Sequence, residues 1–177
     1  MKIPGEKSKM RVLAIDPSLR GTGFAVLENG AAGKVRALDF GVIKNADRLL
    51  PSSCLVAIRD RLAEVIHRHE PDCAAVEGVI FVQSHRIAIT LGAARGAALL
   101  ALAERGVPIY EYAPRRVKQA VVGRGAAAKA QVGFMVRALL GLTETPPPDA
   151  ADAMAIGLTH LQAQNSAQRG ASALVRI

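Results

Sequence analysis

The sequence predicts an α/β fold in which a mixed five-stranded sheet carries helices on both faces. Three short apolar segments separated by turns open the chain, and helical and strand patterns alternate after them. The 177 residues suit a single domain, and half of them are hydrophobic although only 3% are aromatic. The core should therefore consist mainly of Ala, Val, Leu and Ile side chains.

The first part of the chain predicts an antiparallel meander of three strands. An apolar run at residues 12–15 ends at Asp16, and a second run covers residues 22–27. An Asn-Gly pair follows the second run and indicates a hairpin. The alternating segment at 35–43 then adds the third strand.

The middle of the chain predicts two helix-strand pairs, with Ser52 or Ser53 as the cap of the first helix. The predicted elements are a helix at 53–68, a strand at 73–77, a helix at 86–105 and a strand at 107–112. Such alternation is typical of parallel crossovers, in which ligands bind at the carboxyl ends of the strands.

The last third of the chain predicts three helices. Pro114 suits the first turn of a helix that ends near Val122, and glycines follow it. A second helix spans about 127–140 and stops at Gly141. A proline-rich spacer then precedes Asp149, which opens the last helix.

We expect one folded domain at 11–164, a flexible N-terminal extension at 1–10 and a mobile tail at 165–177. The polar N-terminus does not look like a secretory signal, so a cytoplasmic location without a membrane is predicted. The apolar segment 87–103 approaches the length of a membrane span, but Thr90 and Arg95 interrupt it and favour a packed helix. Cys54 and Cys73 show neither metal-ligand nor disulfide spacing.

Acidic residues stand at the points where the predicted strands end. Asp16 and Glu77 each close an apolar strand, so both should lie at the same edge of the sheet. Asp149 and Asp152 are three residues apart and share one face of the last helix. Carboxylates gathered in this way need a cation, and oxygen-only ligation favours Mg²⁺ or Mn²⁺ over zinc.

Each acid also has an ordinary explanation. Asp149 could be a helix N-cap, Glu77 could form a surface ion pair, and Asp16 could form an Asx turn with Pro17. Three coincidences at one sheet edge are less plausible than a shared site. A pair of metal ions about 3.5 to 4 Å apart is a known arrangement for phosphodiester cleavage. The net charge of +8 and the pI near 10.1 fit an anionic partner such as DNA, RNA or a membrane surface.

Five segments in order resemble the RuvC family of Holliday junction resolvases, which share the RNase H-like fold. The similarity runs from about residue 11 to residue 160. The matching segments are residues 15–24, 76–81, 91–96, 117–132 and 148–156. The resemblance implies a homodimer that binds four-way junction DNA, nicks two strands of like polarity symmetrically and acts in recombination and repair.

The resemblance also implies the roles of individual residues. Asp16, Glu77, Asp149 and Asp152 would hold the Mg²⁺ ions, two per site, with Asp16 contacting both and Mn²⁺ as a possible substitute. Lys118 and Lys129 match basic positions near the scissile phosphate, although solvated lysine on a helix is the usual alternative. A branch-migration motor of the RuvA and RuvB type would be a further partner.

Other side chains complete the predicted DNA surface. Arg115, Arg116 and Arg124 cluster near the two lysines and should contact the DNA backbone. Phe81 follows Glu77 in a loop where an aromatic ring could stack on an unpaired base, or it could belong to the core. The loop departs here from the family, which tends to keep more aromatics and a Lys-Asn pair.

Two other function classes compete with the nuclease. One is a catalytically silent, architectural junction-binding protein of the same fold, which should have lost at least one acid. The other is a sugar-kinase or actin-like ATPase, which needs a second glycine-rich phosphate loop; an Ala-Met-Ala segment stands in its place. Ala88, Gly92 and Gly96 form a small-residue stripe that either packs within the chain or meets a second subunit.

Overall fold

The computed structural model describes residues 9–30, 33–78, 84–167 and 176–177. The strands are β1 (Met10–Asp16), β2 (Gly21–Asn29), β3 (Val35–Lys44), β4 (Cys73–Glu77) and β5 (Ile109–Tyr112). The helices are α1 (Pro51–His69), α2 (His85–Ala103), α3 (Pro114–Val122), α4 (Lys129–Leu140) and α5 (Pro148–Ala167).

The five strands form one mixed sheet in the order β3-β2-β1-β4-β5. β1 to β3 are antiparallel neighbours, whereas β4 runs parallel to both β1 and β5. The α/β prediction of a meander followed by parallel crossovers is therefore confirmed. The arrangement puts β1 and β4 side by side with their carboxyl ends at the same edge.

Helices cover both faces of the sheet, because residues in each strand alternate between the two sides. Leu13, Ile15 and Val76 pack on the α1 and α2 side, together with Ile58 and Leu62. On the opposite side, Val12, Ala14 and Ala75 of the same strands pack against the last three helices. The helices contribute Val117, Val136, Met154 and Ile156. Two apolar layers therefore enclose the sheet.

Local signals at the element ends were partly misinterpreted. The prediction that Ser52 or Ser53 caps α1 is wrong: the helix starts at Pro51, and its N-cap Leu50 makes no side-chain cap bond. A proline fits the first helical position because that position needs no amide donor. The hairpin that the Asn-Gly pair indicated is confirmed, since β2 and β3 pair in antiparallel fashion up to Asn29 and Val35, and the Gly30 amide donates to the Lys34 carbonyl at 2.7 Å.

The helix α2 is long and apolar enough, by length and composition, to cross a membrane. Its buried residues Ala94, Ala98, Ala101 and Leu102 pack on the sheet instead. The Ser84 hydroxyl accepts the Ile87 amide and caps the helix. One side of α2 is therefore packed within the described domain.

The predicted tail at 165–177 includes residues in ordered elements. α5 continues to Ala167, and Arg176 pairs with Tyr110 as an isolated antiparallel bridge. The Ile177 amide donates to the Ile109 carbonyl at 3.0 Å. The last residues thus lie along the edge strand β5.

Candidate active site

Strand alternation directs Asp16 and Glu77 toward α5. In β1, Val12 and Ala14 face the α5 side, so Asp16, two residues on, faces it as well. Ala75 places Glu77 on the same side of the neighbouring parallel strand. The two carboxylates therefore end adjacent strands on one face.

Glycines in β2 bring the start of α5 onto this edge. Gly23 is the partner of Asp16 in the sheet, and a Cβ on Gly23 would lie only 1.9 Å from the Asp149 carbonyl oxygen. A Cβ on Gly21 would lie 2.9 Å from Oδ2 of Asp149. The first turn of α5, with Asp149 and Asp152, can sit against β2 only because these side chains are missing.

Asp16 has the least favourable surroundings for a negative charge. Burial, the largest effect, raises the pKa of Asp16, and the charges of Glu77, Asp152 and Asp149 act in the same direction, while the Lys129 ammonium lowers it. The net result is a pKa of about 7. The interactions show that carboxylates from three separate elements share one small region.

The two predicted catalytic lysines lie beside these acids. Lys129 Nζ donates to Oδ2 of Asp152 at 3.1 Å, and this contact raises the pKa of Lys129. Burial and Asp152 raise the pKa of Glu77, whereas the charges of Lys118 and Lys129 lower it. Both lysines therefore act electrostatically on the acidic group.

The acids fit a divalent cation by charge and by donor chemistry, since all their donors are oxygen atoms. Across the described ranges, however, no three His, Cys, Asp or Glu side chains are arranged so that they could hold a metal ion as they stand. Lys129 already neutralises part of the charge through Asp152. Metal binding would therefore require these side chains to reorient.

The predicted DNA-contact arginines lie on and after α3. Arg115 and Arg116 are exposed in its first turn, and Arg124 is exposed just beyond its end. The guanidinium of Arg116 stands 5.3 Å from the centre of the Tyr112 ring. Arg115 lies against Gly125, where a Cβ would come within 2.7 Å of its side chain. Phe81 lies outside the described residues.

His160 is fully buried, and it follows Asp152 by eight residues, which is about 12 Å along α5. Its Nδ1 is 2.8 Å from the Tyr112 hydroxyl, and its Nε2 is 3.2 Å from Cys73 Sγ. It has a structural role in the core.

Sequence reasoning missed two features around the acids. The close approach of α5 to Gly23 was one, and a glycine inside a strand pattern is the signal that could have indicated it. The other is a contact from Arg95 of α2 to the Glu77 carbonyl oxygen. A bond to a backbone atom leaves no pattern in the sequence.

Comparisons with known proteins agree with this geometry. The family described as "Crossover junction endodeoxyribonuclease RuvC" matches residues 12–160. A protein of that name from Akkermansia muciniphila is 57% identical over 152 residues, which are 86% of this chain and 90% of the relative. One from Sorangium cellulosum is 47% identical over 154 residues, which are 87% and 86% of the two chains.

Solved structures show the same fold. The structure of Thermus thermophilus RuvC in complex with a Holliday junction substrate matches with a TM-score of 0.83 and 40% identity, covering 94% of this chain and 99% of that one. The yeast mitochondrial Holliday junction resolvase Ydc2 matches with a TM-score of 0.63 at 16% identity, covering 91% and 82% of the two chains, and supports the fold alone. The RNase H-like fold expected from the resemblance is thereby confirmed.

Proposed function

The chain belongs to the RuvC family of crossover junction endodeoxyribonucleases, and from this premise we propose how its residues cut DNA. It is a nuclease that resolves Holliday junctions in recombination and repair. One observation supports the residue assignment above all others: acids from β1, β4 and α5 interact at the edge of the sheet where the two parallel strands end. The surrounding chain is strongly basic.

Asp16, Glu77, Asp149 and Asp152 would hold two Mg²⁺ ions, with Mn²⁺ as a substitute. When bound, the ions would activate the attacking water and stabilise the charge that develops on the phosphate. Asp16 is the central ligand in this proposal because it interacts with each of the other three acids. The site would thus be an acidic cluster in a protein whose overall charge attracts DNA.

Lys118 and Lys129 would hold oxygens of the scissile phosphate. Lys129 now donates to Asp152, and its side chain is largely exposed. A long and mobile ammonium group could therefore leave the carboxylate when a cation arrives and turn to the phosphate. Lys118 is half-buried close enough to lower the pKa of Glu77.

The DNA backbone would lie across the start of α3 and the α3–α4 connection. Arg115, Arg116 and Arg124 are all exposed there, and guanidinium groups bind phosphate in a fixed, forked geometry. Phe81, which follows Glu77 by four residues, stays a candidate for stacking on a base at the junction centre.

A second copy of the chain would pack on α1 and α2. Gly92 and Gly96 are exposed, and a Cβ on either would meet no atom of the described chain within 4 Å. Intrachain packing therefore does not explain the small-residue stripe. Val56 and Leu100 beside it are 59% and 52% exposed. A homodimer joined at this apolar groove would present two sites to a two-fold substrate, as symmetrical nicking requires.

The location and the protein partners of the enzyme are also part of the proposal. We propose a cytoplasmic enzyme that works with a branch-migration motor of the RuvA and RuvB type. The junction is also the substrate named for the Thermus thermophilus relative. A catalytically silent architectural protein is disfavoured, because all four acids are present.

Cleavage of labelled DNA tests the proposed site. A mobile four-way junction and a linear duplex would be incubated with Mg²⁺ and wild-type protein, the Asp16→Asn variant or the Asp47→Asn variant. We expect paired nicks in the junction alone. Asp16→Asn should lower the rate by at least about 100-fold, since metal contacts supply several kcal/mol of transition-state stabilisation. Asp47 is exposed on the loop before α1, so its variant should cut normally.

Junction binding in the absence of cleavage separates the alternatives. Asp16→Asn should retain its affinity for the junction, because the DNA-contacting arginines are unchanged. Wild-type protein that binds the junction but does not cut it with Mg²⁺ or Mn²⁺ would instead support the architectural function.

A further inference from the structure

Arg95 holds the end of β4 from the face of the sheet opposite to the acids. Its Nη1 donates to the Glu77 carbonyl oxygen at 2.9 Å, and its Nη2 forms an ion pair with Glu111. The Arg95 side chain is only 12% exposed. The guanidinium of α2 therefore contacts the backbone of the residue whose side chain belongs to the proposed site.

Glu111 completes this arrangement from the neighbouring strand. It pairs with Val76 across β4 and β5, and Val76 faces α2, so the Glu111 side chain faces α2 as well. Gly78 lies directly against it, since a Cβ on Gly78 would come within 3.0 Å of Glu111 Oε1. The Gly78 amide also donates to the Tyr112 carbonyl at 2.8 Å.

The two residues after the last buried position of β4 are thus fixed by three partners. Glu77 is tied through its carbonyl to α2, and Gly78 is tied through its amide to β5 and covered by Glu111. Glu77 itself is the last residue of β4. A strand end is ordinarily where backbone order begins to decline, so an anchor at this point has a specific effect on one side chain.

We propose that Arg95 and Glu111 form a positioning pair for the reaction, which sets the backbone of Glu77 so that its carboxylate stays in reach of the other three acids. The proposal rests on the function assigned to those acids above. The pair does not touch the substrate or the reacting atoms. It acts through the backbone at the end of β4.

The expected loss of activity follows from the dependence of metal ligands on the residues that orient them. Loss of a group that orients a ligand typically costs 10- to 100-fold in metal affinity or activity. A displacement of about 1 Å at the reacting groups can cost a similar factor. The proposed DNA surface on α3 belongs to the other face of the sheet, because Val117 and Val121 of α3 pack in one core layer and Ala94 and Ala98 of α2 in the other. Junction affinity should therefore not change.

Arg95→Met tests the pair, because methionine keeps an apolar stem and loses both polar contacts. We expect single-turnover cleavage of the junction to fall by about 10- to 100-fold and the Mg²⁺ concentration for half-maximal rate to rise by a similar factor. Junction Kd, measured in Ca²⁺, should be unchanged. Arg61→Met is the matched control, since it breaks an exposed ion pair with Glu64 on α1 and should cut as the wild type does.

Further variants separate positioning from stability. Arg95→Met leaves the Glu111 carboxylate without its partner. The double variant Arg95→Met with Glu111→Leu should therefore unfold at a higher urea concentration than Arg95→Met alone. It should still need more Mg²⁺ for cleavage than the wild type does. The conservative Glu111→Gln retains an oxygen that can accept from Arg95. It should therefore keep most of the cleavage rate, whereas Glu111→Leu alone should not.

Several results would overturn the positioning pair. One is that Arg95→Met cleaves the junction at the wild-type rate and with the wild-type dependence on Mg²⁺. If Arg95→Met does not fold, the same result in the double variant would count against the pair. An equal loss of junction affinity and cleavage would assign the pair a general structural role instead. Failure of the proposed function looks different, because the wild-type protein and the Arg61→Met control would then also leave the junction uncut, and both proposals would be withdrawn.

Discussion

Two ionisable residues on the same side of the sheet, Asp16 and the fully buried His160, illustrate how position decides chemistry. Asp16 lies among other acids, and its raised pKa marks a place where a cation would relieve both burial and repulsion. His160 lies among neutral groups, with Tyr112 and Cys73 as its ring partners. The first is a candidate metal ligand, and the second stabilises the fold in its neutral form.

The neutral state of His160 predicts a dependence of stability on pH. Burial lowers the pKa of His160 to about 4 in the folded protein, from 6.5 in the unfolded chain. Between these values only the unfolded chain binds the proton. The free energy of unfolding should therefore fall as pH falls through this range, by up to about 1.4 kcal/mol per pH unit from this residue.

Urea unfolding at several pH values between 7 and 4 would measure this contribution. His160→Gln should show a shallower pH dependence than the wild type, whatever its absolute stability. His67→Gln is the control, since His67 is exposed on α1. Parallel pH profiles for wild type and His160→Gln would contradict the assignment.

At the residue scale, the meeting of Asp16 and Glu77 could be predicted because each carboxylate closes an apolar run, and the spacing of Asp149 and Asp152 indicated a shared helix face. Their role as metal ligands stays a prediction. Arg95 and Glu111 could not be predicted, since their roles depend on a backbone contact between α2 and β4. The contact that Lys129 makes with Asp152 from a different helix was also hidden.

Among the elements, α5 depends for its position on the absence of a side chain at Gly23. Its first turn rests on Gly23 of β2, where a methyl group would overlap the Asp149 carbonyl. Gly23→Ala should therefore push the start of α5 away from β1, lower the free energy of unfolding by about 1 to 3 kcal/mol and abolish most cleavage. Urea unfolding and the junction assay would measure the two effects.

Gly133→Ala offers a control for this change. Gly133 lies within α4, and the nearest heavy atom to an added Cβ would be Cγ2 of Thr145 at 3.6 Å, an ordinary contact. Alanine also has a higher helix propensity than glycine. The control should be at least as stable as the wild type, and a Gly23→Ala protein that behaves in the same way would refute the close approach.

At the element scale, the types and order of the helices and strands followed from periodicity and turn residues. Their ends were less predictable, because a serine near Pro51 looked like a cap that the proline made unnecessary. The sequence pattern did not predict the strand order either. That order depends on the pairing of β4 with the edge of β1 that β2 leaves free.

At the scale of the whole molecule, the groove between α1 and α2 should decide the oligomeric state. Leu100→Glu places a charge in this groove, so we expect the protein to become monomeric in light scattering after size exclusion. The monomer should lose the paired nicking of junctions. Leu139→Glu changes an exposed leucine on α4 and should stay dimeric; a dimer that survives Leu100→Glu would place the interface elsewhere.

The central claim is that the acids of β1, β4 and α5 bind divalent ions together. A crystal structure with Mn²⁺, in which anomalous scattering locates the ions, tests it most directly. We predict two peaks about 3.5 to 4 Å apart with Asp16 between them, Glu77, Asp149 and Asp152 around them, and Lys129 moved off Asp152. Mn²⁺ bound away from these residues, with the Lys129–Asp152 pair intact, would contradict the account.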